Sequence, residues 1–244
     1  DRALQQIGLD FNPLEDDARL PGEIPTATYS SLYRLLMEIL QDEAFGLGQE
    51  YHAPPGTFRM MCLFVIHCAT LEQALYRAWE FHNYCDQFRG IERDGSSRPF
   101  RKLPDEDLVL CLFQRSPSAE RDKDFIGHAN VLLMMYRFYS WLIDRDLPLQ
   151  EVHLCASAPD DDSHYRKLFG CTVRFDMQEA GLVLNRNLLQ HPVAQTEESL
   201  KDFLRQAPYH LVKKDQPGKL RPLSRRIEQL LTSYNSQRLP TASD

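Results

Sequence analysis

The chain has 244 residues and a formal net charge of −7 at pH 7. Of its residues, 43% are hydrophobic and 26% are charged, which is an ordinary composition for a soluble globular protein. The length suits one large domain or two small ones. The net negative charge argues against a domain that itself binds nucleic acid, because nucleic-acid-binding surfaces normally carry a basic patch. No run approaches the ~20 apolar residues that span a bilayer, and the acidic residues among the first twenty suit neither a signal peptide nor a transit peptide, so we expect a cytoplasmic protein.

The first part of the chain predicts an arm followed by a helix. Residues 1–23 are weakly periodic, and Ile7, Leu9 and Phe11 suggest a short extended segment. Pro25 followed by Thr26 is typical of a helix start. An apolar helical stripe follows, which consists of Leu32, Leu35, Leu36, Ile39 and Leu40.

Two more helices are predicted after a Pro-Pro-Gly break at residues 54–56. Residues 57–70 are almost wholly apolar, which favours a buried central helix, although a strand at residues 63–66 is an alternative. Thr70 has the character of a cap for the next helix. One side of that helix is predicted to carry Leu71, Ala74, Leu75, Ala78, Trp79 and His82.

The middle of the chain alternates between strand and helix patterns. Residues 89–104 contain several Gly, Ser and Pro residues and predict a hairpin or a loop. Residues 107–115 are apolar at successive positions, which predicts a strand covered on both faces. Residues 125–142 predict a long helix rich in aromatic side chains, and residues 152–156 predict another strand.

Residues 159–185 predict a compact helix, strand and strand unit. Pro159 presets the backbone for a first helical turn, and Gly170 ends the helix because it tolerates left-handed backbone angles. Residues 171–176 then alternate like a half-buried strand, and residues 182–185 predict the return strand of a hairpin. The element order predicts an α+β fold, with a mixed, mostly antiparallel sheet packed against several helices.

The chain changes character near residue 196. Thr196 is predicted to cap a helix, after which residues 213–226 collect six Lys and Arg residues. This basic run could touch phosphate, but it is more typical of a solvated linker face. A last helix is predicted at residues 224–234. We therefore divide the chain into a main domain at residues 1–195 and a C-terminal helical linker segment at residues 196–244.

Three stretches carry soft motifs in order along the chain. Residues 42–47 fit the pattern D-x-x-F-G-L, and residues 69–81 read A-T-L-E-Q-A-L-Y-R-A-W-E-F. The third motif consists of Tyr165, Phe169, Gly170, Phe175, Leu182, Leu188, Leu189, His191 and Pro192. Together they resemble the N-terminal, arabinose-binding-like effector domain of AraC-type transcription regulators, over about residues 22–244.

This resemblance implies a ligand-sensing and dimerisation domain rather than an enzyme. It implies a small-molecule effector, a homodimer, and contact with DNA only through a helix-turn-helix half that this chain lacks. Residues 239–244 resemble the start of the first helix of that half, so we expect the sequence to be a truncated piece of a longer regulator. The resemblance implies no cofactor and does not identify the effector.

Catalytic and metal sites have little support in the sequence. It contains no nucleophile elbow, zinc-protease motif, phosphate-binding loop or dinucleotide fingerprint. The six cysteines form no C-x-x-C pair and are interpreted as reduced core thiols. Three His and Cys pairs are close enough in sequence to share a metal ion, namely His82 with Cys85, His67 with Cys68 and His153 with Cys155, but no four-ligand spacing supports a metal site.

Candidate ligand-binding residues are polar side chains within apolar segments, since a small-molecule site needs an apolar pocket with a few polar groups. They are Arg59, His67, His82, Tyr84 and Tyr136. The alternative for each histidine and tyrosine is a hydrogen-bonded core residue, and for Arg59 a solvent-facing one. Aromatic and Met richness favours an apolar or amphipathic effector. A ligand-free dimerisation scaffold is the other interpretation, with contact through residues 224–234 or the aromatic side of residues 136–141.

Overall fold

The structure, a computed structural model, describes residues 2–8, 25–43, 53–88, 90, 98–113 and 125–206. The described residues form seven α-helices, one 3₁₀ helix and one sheet of five strands. The α-helices are α1 (Arg2–Gln6), α2 (Thr26–Leu40), α3 (Thr57–Val65), α4 (Leu71–Phe88), α5 (Phe125–Leu142), α6 (Ser163–Phe169) and α7 (Glu197–Gln206). The strands are β1 (Phe100–Lys102), β2 (Leu108–Leu112), β3 (Leu149–His153), β4 (Thr172–Arg174) and β5 (Gly181–Asn185), and the 3₁₀ helix is Arg186–Gln190.

The sheet is open and mixed, in the order β1-β2-β5-β3-β4. β1 with β2, β2 with β5, and β5 with β3 pair antiparallel, whereas β3 and β4 pair parallel. The prediction of a mixed, mostly antiparallel sheet packed against helices is therefore confirmed.

The predicted hairpin between residues 171–176 and 182–185 is wrong. β4 pairs with β3 at the edge of the sheet, and β5 enters between β2 and β3. Burial explains the difference, because residues 181–184 of β5 are all buried and suit a central strand, whereas β4 buries only Val173 and suits an edge.

The core lies between one face of the sheet and the helices. Fully buried Leu132 and Leu142 of α5 belong to the same apolar cluster as Val152 and Leu182 of the sheet. α5 has the bounds that the sequence predicted, since its eighteen residues are mostly apolar and include no proline. The predicted first helix and the strand at residues 107–115 are also present, as α2 and β2.

Two acidic side chains join the end of α2 to the start of α3. The buried Asp42 accepts a hydrogen bond from the backbone N–H of Ala53 at 2.7 Å. Oε2 of Glu43 accepts one from the N–H of Phe58 at 2.7 Å. Glu43 thus satisfies an amide in the first turn of α3, where a carboxylate is also favoured by the helix dipole. The Asp42 of the first motif is therefore a structural residue.

Several predicted details were wrong. The central apolar helix ends at Val65 rather than residue 70, and only part of it is buried, because Met60 is 57% and Phe64 44% exposed. α6 begins at Ser163 rather than at Pro159. Ile7 lies in the turn after α1 rather than in an extended segment.

α7 is docked onto the body by an aromatic cluster. The Phe203 ring stacks on Trp141 with a centroid distance of 4.2 Å and also contacts Phe138 and Phe58. Phe203 and Phe138 are 4% and 3% exposed. The aromatic side of residues 136–141 is therefore largely occupied inside the fold, which contradicts its interpretation as an exposed dimer contact.

The segment before α7 is tied to the end of α5. The N–H of Ala194 donates to the carbonyl oxygen of Leu142 at 2.8 Å, and Nε2 of Gln195 donates to that of Trp141 at 2.6 Å. The hydroxyl of Thr196 accepts from the N–H of Ser199 at 3.2 Å, so the predicted cap of α7 is confirmed. The predicted helix at 224–234, the basic run at 213–226 and residues 239–244 lie outside the described residues. None of the described helices combines the length and apolarity needed to cross a bilayer.

Candidate functional site

The sheet face opposite the core carries an open groove. Alternation along β3 places Glu151 and His153 on this face, while Val152 between them points into the core. The groove has a volume of about 540 Å³ and opens to solvent. Its lining consists of Leu103, Pro104, Asp105, Leu108, Gln150, Glu151, His153, Arg174, Met177 and Val183.

Polar groups from two neighbouring strands meet at one end of the groove. Nε and Nη2 of Arg174 donate to Oε2 and Oε1 of Glu151 at 2.6 and 2.7 Å, which is a bidentate ion pair. Nε2 of His153 lies 3.1 Å from Oε2 of the same carboxylate and donates to it in the tautomer that carries hydrogen on Nε2. The His153 side chain is only 7% exposed, whereas that of Arg174 is 54% exposed.

The parallel pairing of β3 and β4 creates this arrangement. Its register sets Glu151 opposite Thr172 and His153 opposite Arg174, so the guanidinium reaches diagonally to the carboxylate. The hydrogen bonds from Arg174 hold the pKa of Glu151 below its usual range, and His153 acts in the same direction. The carboxylate in turn raises the pKa of Arg174. The pair therefore stays ionised across the physiological range.

The rest of the groove is mainly apolar. Val183 of β5 forms part of its floor and is 1% exposed, and Leu103 and Pro104 come from the turn between β1 and β2. Gly181 lies on this face beside His153 and opposite Leu112. A Cβ at Gly181 would lie 2.3 Å from the carbonyl oxygen of Cys111, so only glycine permits this close approach of β5 to β2.

None of the five predicted site residues lines this groove. Arg59, His67, His82 and Tyr84 lie on α3, just after it, or on α4, and their side chains are exposed. His67 pairs with Glu197 at the start of α7, with Nε2 at 3.1 Å from Oε1. His82 meets the edge of the Phe81 ring, and Tyr84 is 59% exposed.

Tyr136 lies apart from those four residues, on α5. It is half-buried against the core, and burial raises the pKa of its hydroxyl group. Its backbone carbonyl accepts a hydrogen bond from the hydroxyl of Ser140 at 2.9 Å. The structure therefore does not assemble the five predicted residues into one pocket.

The metal alternative gains nothing from the geometry. His153 contacts Glu151, while Cys155 is buried two residues further along. Within the described stretches, no three His, Cys, Asp or Glu side chains converge as a group that could hold a metal ion.

The sequence interpretation missed Glu151 and Arg174 and considered His153 only as a metal ligand. One signal was available, since Glu151 and His153 alternate with the apolar Val152 and predict one polar strand face. Their partner Arg174 is 23 positions from Glu151. Only the pairing of β4 with β3 brings Arg174 close to Glu151.

A family comparison agrees with the motifs. The family model described as the arabinose-binding domain of AraC transcription regulator, N-terminal, matches residues 1–193. No curated protein matches the chain. Among solved structures, the crystal structure of transcriptional regulator CdpR from Pseudomonas aeruginosa is similar, with 19% identity, 98% of this chain and 71% of that chain covered, and a TM-score of 0.43.

Proposed function

Because this chain belongs to the family of arabinose-binding N-terminal domains of AraC transcription regulators, we propose that it senses a small effector and controls an attached helix-turn-helix domain. The family match over residues 1–193 carries this proposal. The effector is apolar or amphipathic, and the protein acts as a homodimer in the cytoplasm. DNA is contacted only by the attached domain. Residues 1–195 form the regulatory domain, and residues 196–244 form the linker toward it.

α7 is the element that passes the signal on, since it begins the proposed linker. It is held through Phe203 against Trp141 of α5, and α5 packs on the sheet whose other face forms the groove. A ligand that prefers one arrangement of the sheet and α5 therefore also biases the orientation of α7. The contact between Nε2 of His67 and Oε1 of Glu197, at 3.1 Å, gives α7 a second attachment, at its first turn.

The exposed apolar face of α3 and α4 is the proposed contact with a second copy of the chain. We define this α3–α4 face as Met60, Phe64, Phe81, Tyr84 and Phe88. The Phe64 and Phe81 rings are 6.2 Å apart, and Tyr84 and Phe88 continue the stripe at 59% and 91% exposure. Contiguous apolar surface of this kind marks interaction sites, and aromatic and Met side chains are enriched at the centres of interfaces.

Light scattering of the double variant Phe64→Glu and Phe88→Glu tests the dimer contact. We expect a dimer for the wild-type chain and a monomer for the variant, because two buried carboxylates would face each other across the symmetry axis. A variant that remains dimeric would move the contact elsewhere. Unchanged circular dichroism controls for loss of fold.

A thermal-shift screen of metabolites tests the sensor function. A ligand at 100 times its Kd adds about 2.7 kcal/mol to the free energy of unfolding. For a chain of this size that corresponds to a rise of roughly 5–10 °C in Tm. The hit must then change promoter binding by the regulator that carries the helix-turn-helix half. If no metabolite shifts Tm while the dimer persists, the domain is a dimerisation scaffold, the function that the α3–α4 face alone would support.

A further inference from the structure

We propose that the groove on the outer sheet face is the effector site and that it takes a small organic carboxylate with an apolar body. This rests on the proposed function, because it assigns the effector to a place and a chemical class. The carboxylate binds Arg174, and the apolar body lies over Val183 between Leu108 and Met177.

Arg174 has unused donors for such a head group. A guanidinium carries five N–H donors, and Arg174 uses Nε and Nη2, one hydrogen each, for Glu151. Nη1 contacts no partner among the described residues. The outer edge of the guanidinium, with Nη1 and the second hydrogen of Nη2, can thus donate two parallel hydrogen bonds to a ligand carboxylate. Because Glu151 fixes the side chain, Arg174 loses little conformational freedom when it binds.

The same contacts disfavour a cationic head group. Both oxygens of Glu151 already accept hydrogen bonds from Arg174, and Oε2 is also next to Nε2 of His153. Little acceptor capacity remains for an ammonium group. A neutral amide could accept from Arg174 with one oxygen only, and it would lack the charge-assisted second bond. Glu151 and Asp105 at the rim would repel a doubly charged phosphate about twice as strongly as a singly charged carboxylate, which favours the carboxylate of the two anions.

The walls of the groove define the other half of the ligand. Five of its ten lining residues are apolar, namely Leu103, Pro104, Leu108, Met177 and Val183. Its volume of about 540 Å³ lies within the range of ordinary small-molecule sites. A strongly hydroxylated ligand such as a sugar would find few partners on these walls, whereas an alkyl or aromatic body would bury against them.

Binding of matched probes to the purified chain tests the proposal. The probes are phenylacetate and hexanoate, each compared with its amide and with the amine of similar length, measured by calorimetry and by NMR titration. We expect at least one of the two acids to bind at least tenfold more tightly than its amide and its amine. Equal or tighter binding of the amides or amines, or no binding of either acid, overturns the proposal.

Two arginine variants locate the site. Arg174→Gln is expected to weaken acid binding at least tenfold. Arg101→Gln is the matched control, because Arg101 also lies on the outer face in an ion pair with Glu179 but does not line the groove. Leu103→Gln removes part of an apolar wall in a turn and is expected to weaken binding three- to tenfold. Equal effects of Arg174→Gln and Arg101→Gln would place the acid elsewhere.

A promoter-binding assay with the regulator that carries the helix-turn-helix half separates the two levels of proposal. If an effector found by screening still acts on the Arg174→Gln variant, the groove assignment fails and the sensor function stands. If acids bind the groove in an Arg174-dependent way but never alter promoter binding, the groove is a carboxylate site, and both the sensor function and the role of the groove as an effector site fail.

Discussion

Replacing Phe203 with alanine should release α7 from the body of the domain. Phe203 is 4% exposed and its ring stacks on Trp141 at 4.2 Å, with Phe138 and Phe58 also in contact. Removing a buried phenyl ring typically costs about 3–5 kcal/mol, because transfer energy is lost and a cavity remains. α7 has ten residues, below the ~12–15 that an isolated helix needs for marginal stability, so it depends on this contact.

Urea denaturation and amide hydrogen exchange measure the effect of Phe203→Ala. In a Trp79→Phe background, Trp141 is the sole tryptophan, and its fluorescence on excitation at the red edge of the tryptophan band reports the loss of its stacking partner. We expect the amides of α7 to lose protection by the equivalent of about 3–5 kcal/mol, while those of β5 stay protected if the body remains folded. Ile39→Ala is the matched control, because Ile39 is also helical but 59% exposed and lies outside the α3–α4 face, and it should change stability by less than about 0.5 kcal/mol. Loss of protection below about 1 kcal/mol for Phe203→Ala would refute the docking of α7.

Three further changes test the sheet, the ion pair and the cap. Gly181→Ala should lower the free energy of unfolding by about 1–3 kcal/mol or more, since its Cβ would collide with backbone of Cys111; an unaffected urea midpoint would contradict the pairing of β2 and β5. Glu151→Gln should lower Tm at pH 7, and the difference in Tm from wild type should shrink as pH falls below about 4.3, the usual pKa of Glu in an unfolded chain. The hydrogen bonds from Arg174 lower the folded-state pKa of Glu151, so its stabilisation is present above the unfolded pKa and is lost as pH falls through the folded pKa. A difference in Tm that does not depend on pH would exclude the ion pair as its cause. Thr196→Ala should cost about 1 kcal/mol in urea unfolding and Thr196→Ser much less, whereas equal losses would show that the hydroxyl does not cap α7.

Local patterns in the sequence were reliable where one segment decides its own conformation. α5 was predicted with its observed bounds, because eighteen mostly apolar residues without Pro suit a helix. The cap at Thr196 was predicted for the same reason, since a hydroxyl and the amide it accepts from are three residues apart.

Pairing and burial were harder to predict, because both depend on distant parts of the chain. The unit at residues 159–185 has the right strands, but nothing in it shows that β5 prefers β2 and β3 to β4. α3 was expected to be buried because almost all of its side chains are apolar. Such a pattern does not indicate which side of a helix faces the core, and the structure exposes the side that carries Met60 and Phe64.

The groove could not be predicted from the sequence, because its polar end also depends on contacts between distant parts of the chain. Arg174 meets Glu151 only through the parallel register of β3 and β4. The prediction instead chose polar side chains on the apolar helices, namely Arg59, His67, His82, Tyr84 and Tyr136, none of which lines the groove.

The central position of β5 has a consequence for synthesis on the ribosome. β5 is the last of the five strands to be translated, yet it joins the β1–β2 pair to the β3–β4 pair. Until residues 181–185 leave the exit tunnel, the nascent chain holds two half-sheets whose inner edges have no partner, and such edges invite intermolecular pairing. Translation that pauses or terminates before Gly181 should therefore yield chaperone-dependent or aggregated products. A nascent chain whose residues 181–185 have left the tunnel can complete the sheet.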